Sequence, residues 1–405
     1  MTNSDLPSVQ ALNDILPREP VLLMGAGPVP ISNAVARANS VVINHIGSTM
    51  GNVIEGLSRL AQYVFQTKSD KIIGVSGPSS AAMEMAIVNL LGKGRTALIL
   101  DNGTFSHRWA DMAARVGSEV TSIISKDIEP ISAKQVSEAF EQQTYDVVII
   151  THGETSSGVI TTELPAIAAV AKRHGALVIV DAVTTLGASE FDMDAWQLDA
   201  VVAGGQKALG SIPGVSLVAF STEAWEYIES EKQTQKSHWC LDALLAWQFW
   251  GFHEYHYTAP VPGILSLYEA LYEIKEESLT ARWTRHEVSS SAMQKSVEAM
   301  GLKLFVPAAY RLASVISVSL PDGTDSKELR RFMVDKFSVE IAGAFGHNIV
   351  RIGQMGEQCR AHNLFKTIYA LGMAFSHCNA VVDVPGAMAV LEQGLATNKK
   401  HLLVQ

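Results

Sequence analysis

The stretch VVAGGQKALG (residues 201–210) sets one lysine, Lys207, among small and apolar neighbours. An ammonium in that setting either snorkels to water along its own stem or is held partly desolvated. Desolvation lowers an amine's pKa and makes it a usable base or nucleophile near neutral pH. Other groups of unlike chemistry stand at or just beyond the ends of short apolar runs. Asp181 closes ALVIVDA. Gly77, Ser79 and Ser80 follow KIIGV in SGPSSAAMEMA, Phe105 follows TALIL in DNGTFSHRW, and Thr155 follows DVVIITH in GETSSG. Gln206 directly precedes Lys207. Singly, each has an ordinary explanation: a serine caps a helix, an aromatic fills a core, an aspartate pairs with a lysine. Their shared position is what calls for another.

The apolar runs at 71–75, 96–100, 146–152, 176–182, 199–204 and 215–220 are nearly continuous and rich in β-branched residues. Such runs predict parallel strands covered on both faces. Helix signals fall between them. Ser132 and Gln135 form a capping box opening SAKQVSEAFEQQ. Pro165 stands near the start of ELPAIAAVAKRHG, with Lys172, Arg173 and His174 before Gly175 at its end. Strand–helix alternation predicts an α/β layer fold with a mainly parallel sheet. Ligands bind such sheets outside the carboxyl ends of the strands, so all of these groups are expected on one edge. After about residue 262 the pattern shifts to long helices. Ile316, Val318 and Leu320 alternate with Ser317 and Ser319 as in a half-buried antiparallel strand. The expected division is a segment 1–35 packing on both parts, a large domain 36–264 and a smaller C-terminal α+β domain 265–405.

Small residues opening a helix leave N–H groups for a phosphate. With a stacking ring, a buried acid and an amine, they describe the needs of pyridoxal 5′-phosphate: a phosphate cradle, a flat face, a partner for the pyridine nitrogen and a lysine for the aldehyde. The chain also resembles the class V, fold-type I aminotransferases of the alanine–glyoxylate and serine–glyoxylate group over about residues 20–375. The segments that carry the likeness are MGAGPVPIS, YVFQTKSDKIIGVSG, THGETSSGV, VDAVTTLGA, GGQKALGSIPG, YHYTAPV and IVRIGQMG. The resemblance implies a seven-stranded, mainly parallel sheet in the large domain. It implies that Lys207 bonds the cofactor aldehyde and later shuttles a proton, and that Asp181 holds the pyridine nitrogen. It further implies that Phe105 stacks on the ring, that Gly77, Ser79, Ser80 and Gln206 hold the phosphate, and that Thr155 lies on the ring's hydroxyl side. Tyr255 and Thr258 match positions that reach the phosphate of a neighbouring subunit, which implies a homodimer. Arg351 matches the arginine that grips the substrate carboxylate with a planar fork. Phe105 stands where the group usually has tryptophan or another aromatic, and Ser79–Ser80 where many relatives have Gly-His or a similar pair. NHIGSTM (44–50) departs from the usual versions, and its Gly47 and Ser48 are expected near the substrate side chain. The implied reaction moves an amino group from a small amino acid, alanine or serine, to glyoxylate or pyruvate by a two-stage Schiff-base mechanism.

Other function classes fit less well. A formal net charge of −10 argues against nucleic-acid binding. No apolar run reaches membrane-spanning length, and the polar N-terminus has no signal-peptide core, so a cytoplasmic location is expected. Cys240, Cys359 and Cys378 are widely spaced, and His253 and His256 lack metal-site spacing, so neither disulfide nor metal is expected. GAGPVP resembles the start of a dinucleotide-binding loop, but Pro28 and Pro30 block the helix that must follow. The nearest rival is a lyase or cysteine desulfurase on the same fold, with Cys359 as its nucleophile.

Overall fold

The computed structural model describes residues 9–126, 128–231, 238–344 and 346–396. Leu22–Leu23 forms β1. β2 (Ile72–Gly77), β3 (Thr96–Asp101), β4 (Glu119–Ile124) and β5 (Val147–Thr151) follow. A short hairpin, β6 (Gly153–Glu154) and β7 (Val159–Ile160), precedes β8 (Leu177–Asp181), β9 (Ala200–Gly204) and β10 (Gly214–Phe220). The C-terminal part adds β11 (Val315–Ser319), β12 (Val339–Glu340), β13 (Ala342–Gly343) and β14 (Ile349–Gly353).

The central sheet has seven strands in the order β2-β10-β9-β8-β5-β3-β4. β10 is antiparallel to both neighbours, and the other pairs are parallel. Every residue of β5, β8 and β9 is buried, as their unbroken apolar sequences require. Burying one Val, Leu or Ile side chain is worth about 1.5–3 kcal/mol, so packing, not the polar groups at its edge, fixes this sheet. The register pairs Thr151 with Asp181 and Asp181 with Val202. The carboxyl ends of β5 and β8 therefore lie level, and β9 runs on past Val202 to Gly204, toward Lys207.

The helix predictions hold in detail. Ser132 and Gln135 cap each other reciprocally at the helix Ala133–Gln142. Pro165 sits in the first turn of Leu164–Arg173, and Lys172 and Arg173 in its last. Two strand readings need correction. β4 has no counterpart among the predicted runs. It is an edge strand bonded only to β3, and its residues EVTSII are half-exposed, so it lacks a continuous apolar signature. β11 is antiparallel to β14 as expected, but its serine face is covered. Ser317 is buried, and a Cβ placed on Gly158 would lie 2.6 Å from its Oγ.

The helices and central sheet enclose one large hydrophobic cluster, and β11, β14 and the helices Leu279–Ala299 and Ala361–His377 contribute to a second. Residues 22–29 run between them. Met24 N–H donates to Glu340 O (2.7 Å), Gly353 N–H to Met24 O (2.8 Å), and Val29 N–H to Gln206 O (3.1 Å). A small third cluster joins Ala26 and Val29 to Ala208, Val315 and Met355. Among the described residues no helix is long and apolar enough to cross a membrane.

Candidate active site

Gly77 ends β2 with φ +140°, and two residues later the helix Ser79–Leu90 begins. Its N-cap is Pro78, which supplies no side-chain acceptor, so the first turn has no side-chain cap. Across from it, Gln206 Nε2 donates to Ser79 Oγ (3.1 Å), while the buried Gln206 Oε1 has no hydrogen-bond partner among the described residues. A Cβ on Gly204 would fall 2.0 Å from Ser79 Oγ, so glycine is needed for β9 to approach the serine. Arg108 donates to Ser80 Oγ (3.1 Å) and lies 5.2 Å from the centroid of the Phe105 ring. This is a group of hydroxyls, an amide and a helix start with a cation beside it, suited to a phosphate.

Asp181 ends β8 and is buried. Burial pushes its pKa up to about 6, against the pull of the Val183 N–H that donates to its Oδ1 at 3.0 Å. Lys207 is a cation acting on it, and its pull is the smallest of these influences, so the site has capacity for a further positive partner. Nearby Glu154 raises Asp181 further. Glu154 was not among the candidates drawn from the sequence, yet it is fully buried. Its carboxylate accepts from Phe105 N–H (3.2 Å), Ser106 N–H (2.9 Å), Ser106 Oγ (3.0 Å) and Ser156 N–H (3.0 Å). It thereby anchors the first turn of the helix Thr104–Arg115, which carries Phe105, at the end favoured for a negative charge.

Lys207 lies three residues beyond β9, largely covered. Burial brings its pKa down to about 8, the Arg351 charge adds to that, and Asp181 opposes it. Its Nζ donates to the carbonyl of Ala26. A Cβ on Gly27 would lie 2.5 Å from Lys207 Cδ and 2.7 Å from Nζ, and Gly27 has φ +100°. Residues 25–27, which in the sequence belong to the MGAGPVPIS likeness and to a failed dinucleotide loop, therefore form a wall against the lysine. An amine must be neutral to attack an aldehyde. Uptake of pyridoxal phosphate by the cofactor-free protein should accordingly accelerate as pH rises through about 8 and then level off. Stopped-flow absorbance from pH 6 to 10 measures this; a rate that falls with rising pH contradicts it.

Arg351 is central in β14 and buried. Its Nε donates to Gly343 O (2.7 Å) and its Nη1 to the carbonyl of Thr155. These bonds set the plane of the guanidinium and tie the C-terminal part to the loop after β6. Burial lowers its pKa and Glu154 counteracts that. Thr155 therefore meets this cluster through its backbone.

Tyr255 and Thr258 are exposed in the single chain. Gly47 caps the helix Ser48–Phe65, with Ser48 exposed. The two segments meet at the surface, where the His45 and Tyr255 rings stand edge to face at 5.9 Å. Cys359 is fully buried in the turn Gly356–Cys359, and burial raises its thiol pKa, the reverse of what a nucleophile needs.

The family Aminotransferase class-V matches residues 32–367. The chain is 32% identical over 382 residues to an alanine–glyoxylate aminotransferase of Rattus norvegicus, covering 92% of each. It is similar to the solved alanine–glyoxylate aminotransferase of Nostoc sp., with TM-score 0.86, 32% identity and 92% and 98% of the two chains covered. It is also similar to the ureidoglycine–glyoxylate aminotransferase of Bacillus subtilis, with TM-score 0.89, 25% identity and 94% and 99% covered. On this footing the chain belongs to the class-V aminotransferases, of fold type I, enzymes whose cofactor is pyridoxal 5′-phosphate.

Proposed function

We propose that the protein transfers the amino group of a small amino acid, alanine or serine, to glyoxylate or pyruvate, and that it does so as a cytoplasmic homodimer. The observation that carries this reading is the convergence of three groups from three parts of the chain. These are Lys207 with its depressed pKa, the buried Asp181, and Arg351 held in place by backbone carbonyls.

The cofactor supplies an electron sink for the charge left when the substrate α-proton departs. The chain does the rest. Lys207 Nζ, its pKa lowered to about 8 by burial, takes the α-proton once it is in its neutral form and delivers it to the cofactor carbon on the other side of the substrate nitrogen. Asp181 keeps the ring nitrogen protonated by pairing with it. Phe105 covers the ring, and Ser79, Ser80, Gln206 and Gly77 take the phosphate. Arg351 orients the carboxylate of each amino acid and keto acid. Gly47 and Ser48 are assigned to the substrate side, and Tyr255 and Thr258 to the partner's phosphate. Support for pairing comes from Val41, Val42, Ile46, Phe252 and Tyr255, all exposed apolar residues beside the His45–Tyr255 contact.

A panel of amino acids against glyoxylate and pyruvate, read by product analysis, tests the substrate assignment. Glycine should form from glyoxylate with alanine or serine as donor, and alanine from pyruvate with serine as donor. A protein that binds cofactor yet aminates neither acceptor defeats it. Arg351→Ala should raise KM for amino and keto acids by about 10²-fold, the worth of a charged hydrogen-bonded pair of about 2–3 kcal/mol, with a smaller change in kcat. Equal KM values for mutant and parent remove Arg351 from the substrate site.

A further inference from the structure

Arg282 and Arg285 lie on the helix Leu279–Ala299 and are only 6% and 3% exposed. Buried guanidinium groups are tolerated when their donors are satisfied and a counter-charge is near. Glu277 supplies that charge. Arg285 grips it from the side, Nε to Oε1 at 2.5 Å and Nη2 to Oε2 at 2.9 Å, and Arg282 Nη1 reaches Oε2 at 3.1 Å. Burial alone would push the Glu277 carboxyl up, but the two guanidinium groups outweigh it and hold it at about 2. The remaining donors reach three backbone carbonyls. Arg282 Nη2 donates to Ala208 O (3.0 Å), next to Lys207. Its Nε donates to Gly187 O (3.0 Å), in the loop that leaves Asp181. Arg285 Nη1 donates to Gly356 O (2.8 Å), in the turn that follows Arg351. His286 completes the set, accepting from Gly356 N–H at 3.0 Å on Nε2 while Nδ1 bonds Arg282 O at 2.7 Å. A Cβ on Gly356 would be 3.7 Å from both Gly210 Cα and Arg282 Nη2, so the Lys207 and Arg351 loops meet at this point.

We propose that Arg282, Arg285 and Glu277 are positioning residues that set the spacing between the Lys207–Asp181 half of the site and Arg351. The inference rests on the roles assigned above to those three residues. If filling the interior were all this region required, apolar side chains would serve as well, since exchanging a buried ionic triad for them is often neutral or stabilising. What apolar side chains lack is a rigid, directional fork that holds two separate loops at fixed distances. Reaction geometry is sensitive to such distances: a shift of about 1 Å can cost on the order of 10²-fold in rate.

The test uses holoenzyme carrying Arg282→Lys or Arg285→Lys, each keeping the charge and losing the fork, and Glu277→Gln, which loses the counter-charge and little volume. Readouts are kcat and KM for donor and acceptor, the pH midpoint of the bound cofactor's visible absorption, and thermal stability. The expected result is a kcat/KM about 10- to 100-fold lower with a displaced absorption midpoint in protein that is folded and cofactor-loaded. For Arg285→Lys the loss should fall mainly on KM, and for Arg282→Lys mainly on kcat and the absorption midpoint. Folded variants with parental kinetics and midpoint overturn the proposal. So does failure of all three to fold, which would assign the cluster to fold stability alone. If the parent protein transaminates nothing in the panel, the substrate assignment falls, while the absorption midpoint of the variants still reports on positioning.

Discussion

Replacing Lys207 with alanine should lower transamination turnover by at least about 10²–10⁴-fold, the usual worth of one positioned proton-transfer group. The reason lies in its surroundings. Burial and the Arg351 charge bring the amine to about pKa 8, so a usable neutral fraction exists near neutral pH, and Gly27 lies against its stem and head. The variant should fold, because Ala208 and Leu209, not the lysine head, pack into the interior. It should also lose the visible absorption of bound cofactor or become trapped with substrate on it. Single-turnover kinetics against the parent decide the matter. Unchanged turnover would transfer the proton-moving role to another residue.

Asp181→Asn has the second largest expected effect, a loss on the order of 10²–10³-fold in kcat, as when one preorganised charge-stabilising group is removed. The same change should raise the melting temperature of the cofactor-free protein. The signs follow from burial. The folded carboxyl sits at about 6, above its ordinary value near 3.8, so its stabilising share is complete at low pH and disappears as pH rises through about 6. At neutral pH the folded, cofactor-free chain thus carries a buried charge that opposes folding, and asparagine removes it. In the role proposed for Asp181, that charge would have its partner in the ring of the loaded enzyme, and the substitution would leave the ring nitrogen without one. Cofactor affinity should fall while the melting temperature of the empty protein rises, measured by absorbance titration and calorimetry. A cofactor-free variant less stable than its parent at pH 7 to 8 would contradict this.

What could be read in the sequence follows the range of the forces involved. β5, β8 and β9 are legible because strands buried on both faces must be apolar throughout. β4 is not, since an edge strand may keep polar residues. Asp181, Lys207 and Ser79 could be placed on one sheet edge because each ends or follows such a run. Glu154, Ala26 and Arg282 escaped notice for a common reason. Each makes a bond in which one side is a backbone atom distant in the chain from its partner: the N–H groups of Phe105 and Ser106 to Glu154, the carbonyl of Ala26 to the Lys207 amine, and the carbonyls of Gly187 and Ala208 to Arg282. Backbone groups are the same at every position, so no residue type announces them. The glycines were the available signal. Gly27 and Gly204 each sit where a side chain would strike a neighbour at the site, Gly356 has φ +57°, and a Gly-x-Gly-Pro run is a sign of close approach.

The central claim is that the amine at position 207, and no other, carries the cofactor. Borohydride reduction of the loaded enzyme, followed by proteolysis and mass spectrometry, tests it most directly. One peptide containing Lys207 should bear a pyridoxyl group at close to one per chain, and Lys207→Ala should abolish the label. Labelling of a different lysine, or none in protein that retains cofactor, would contradict the account.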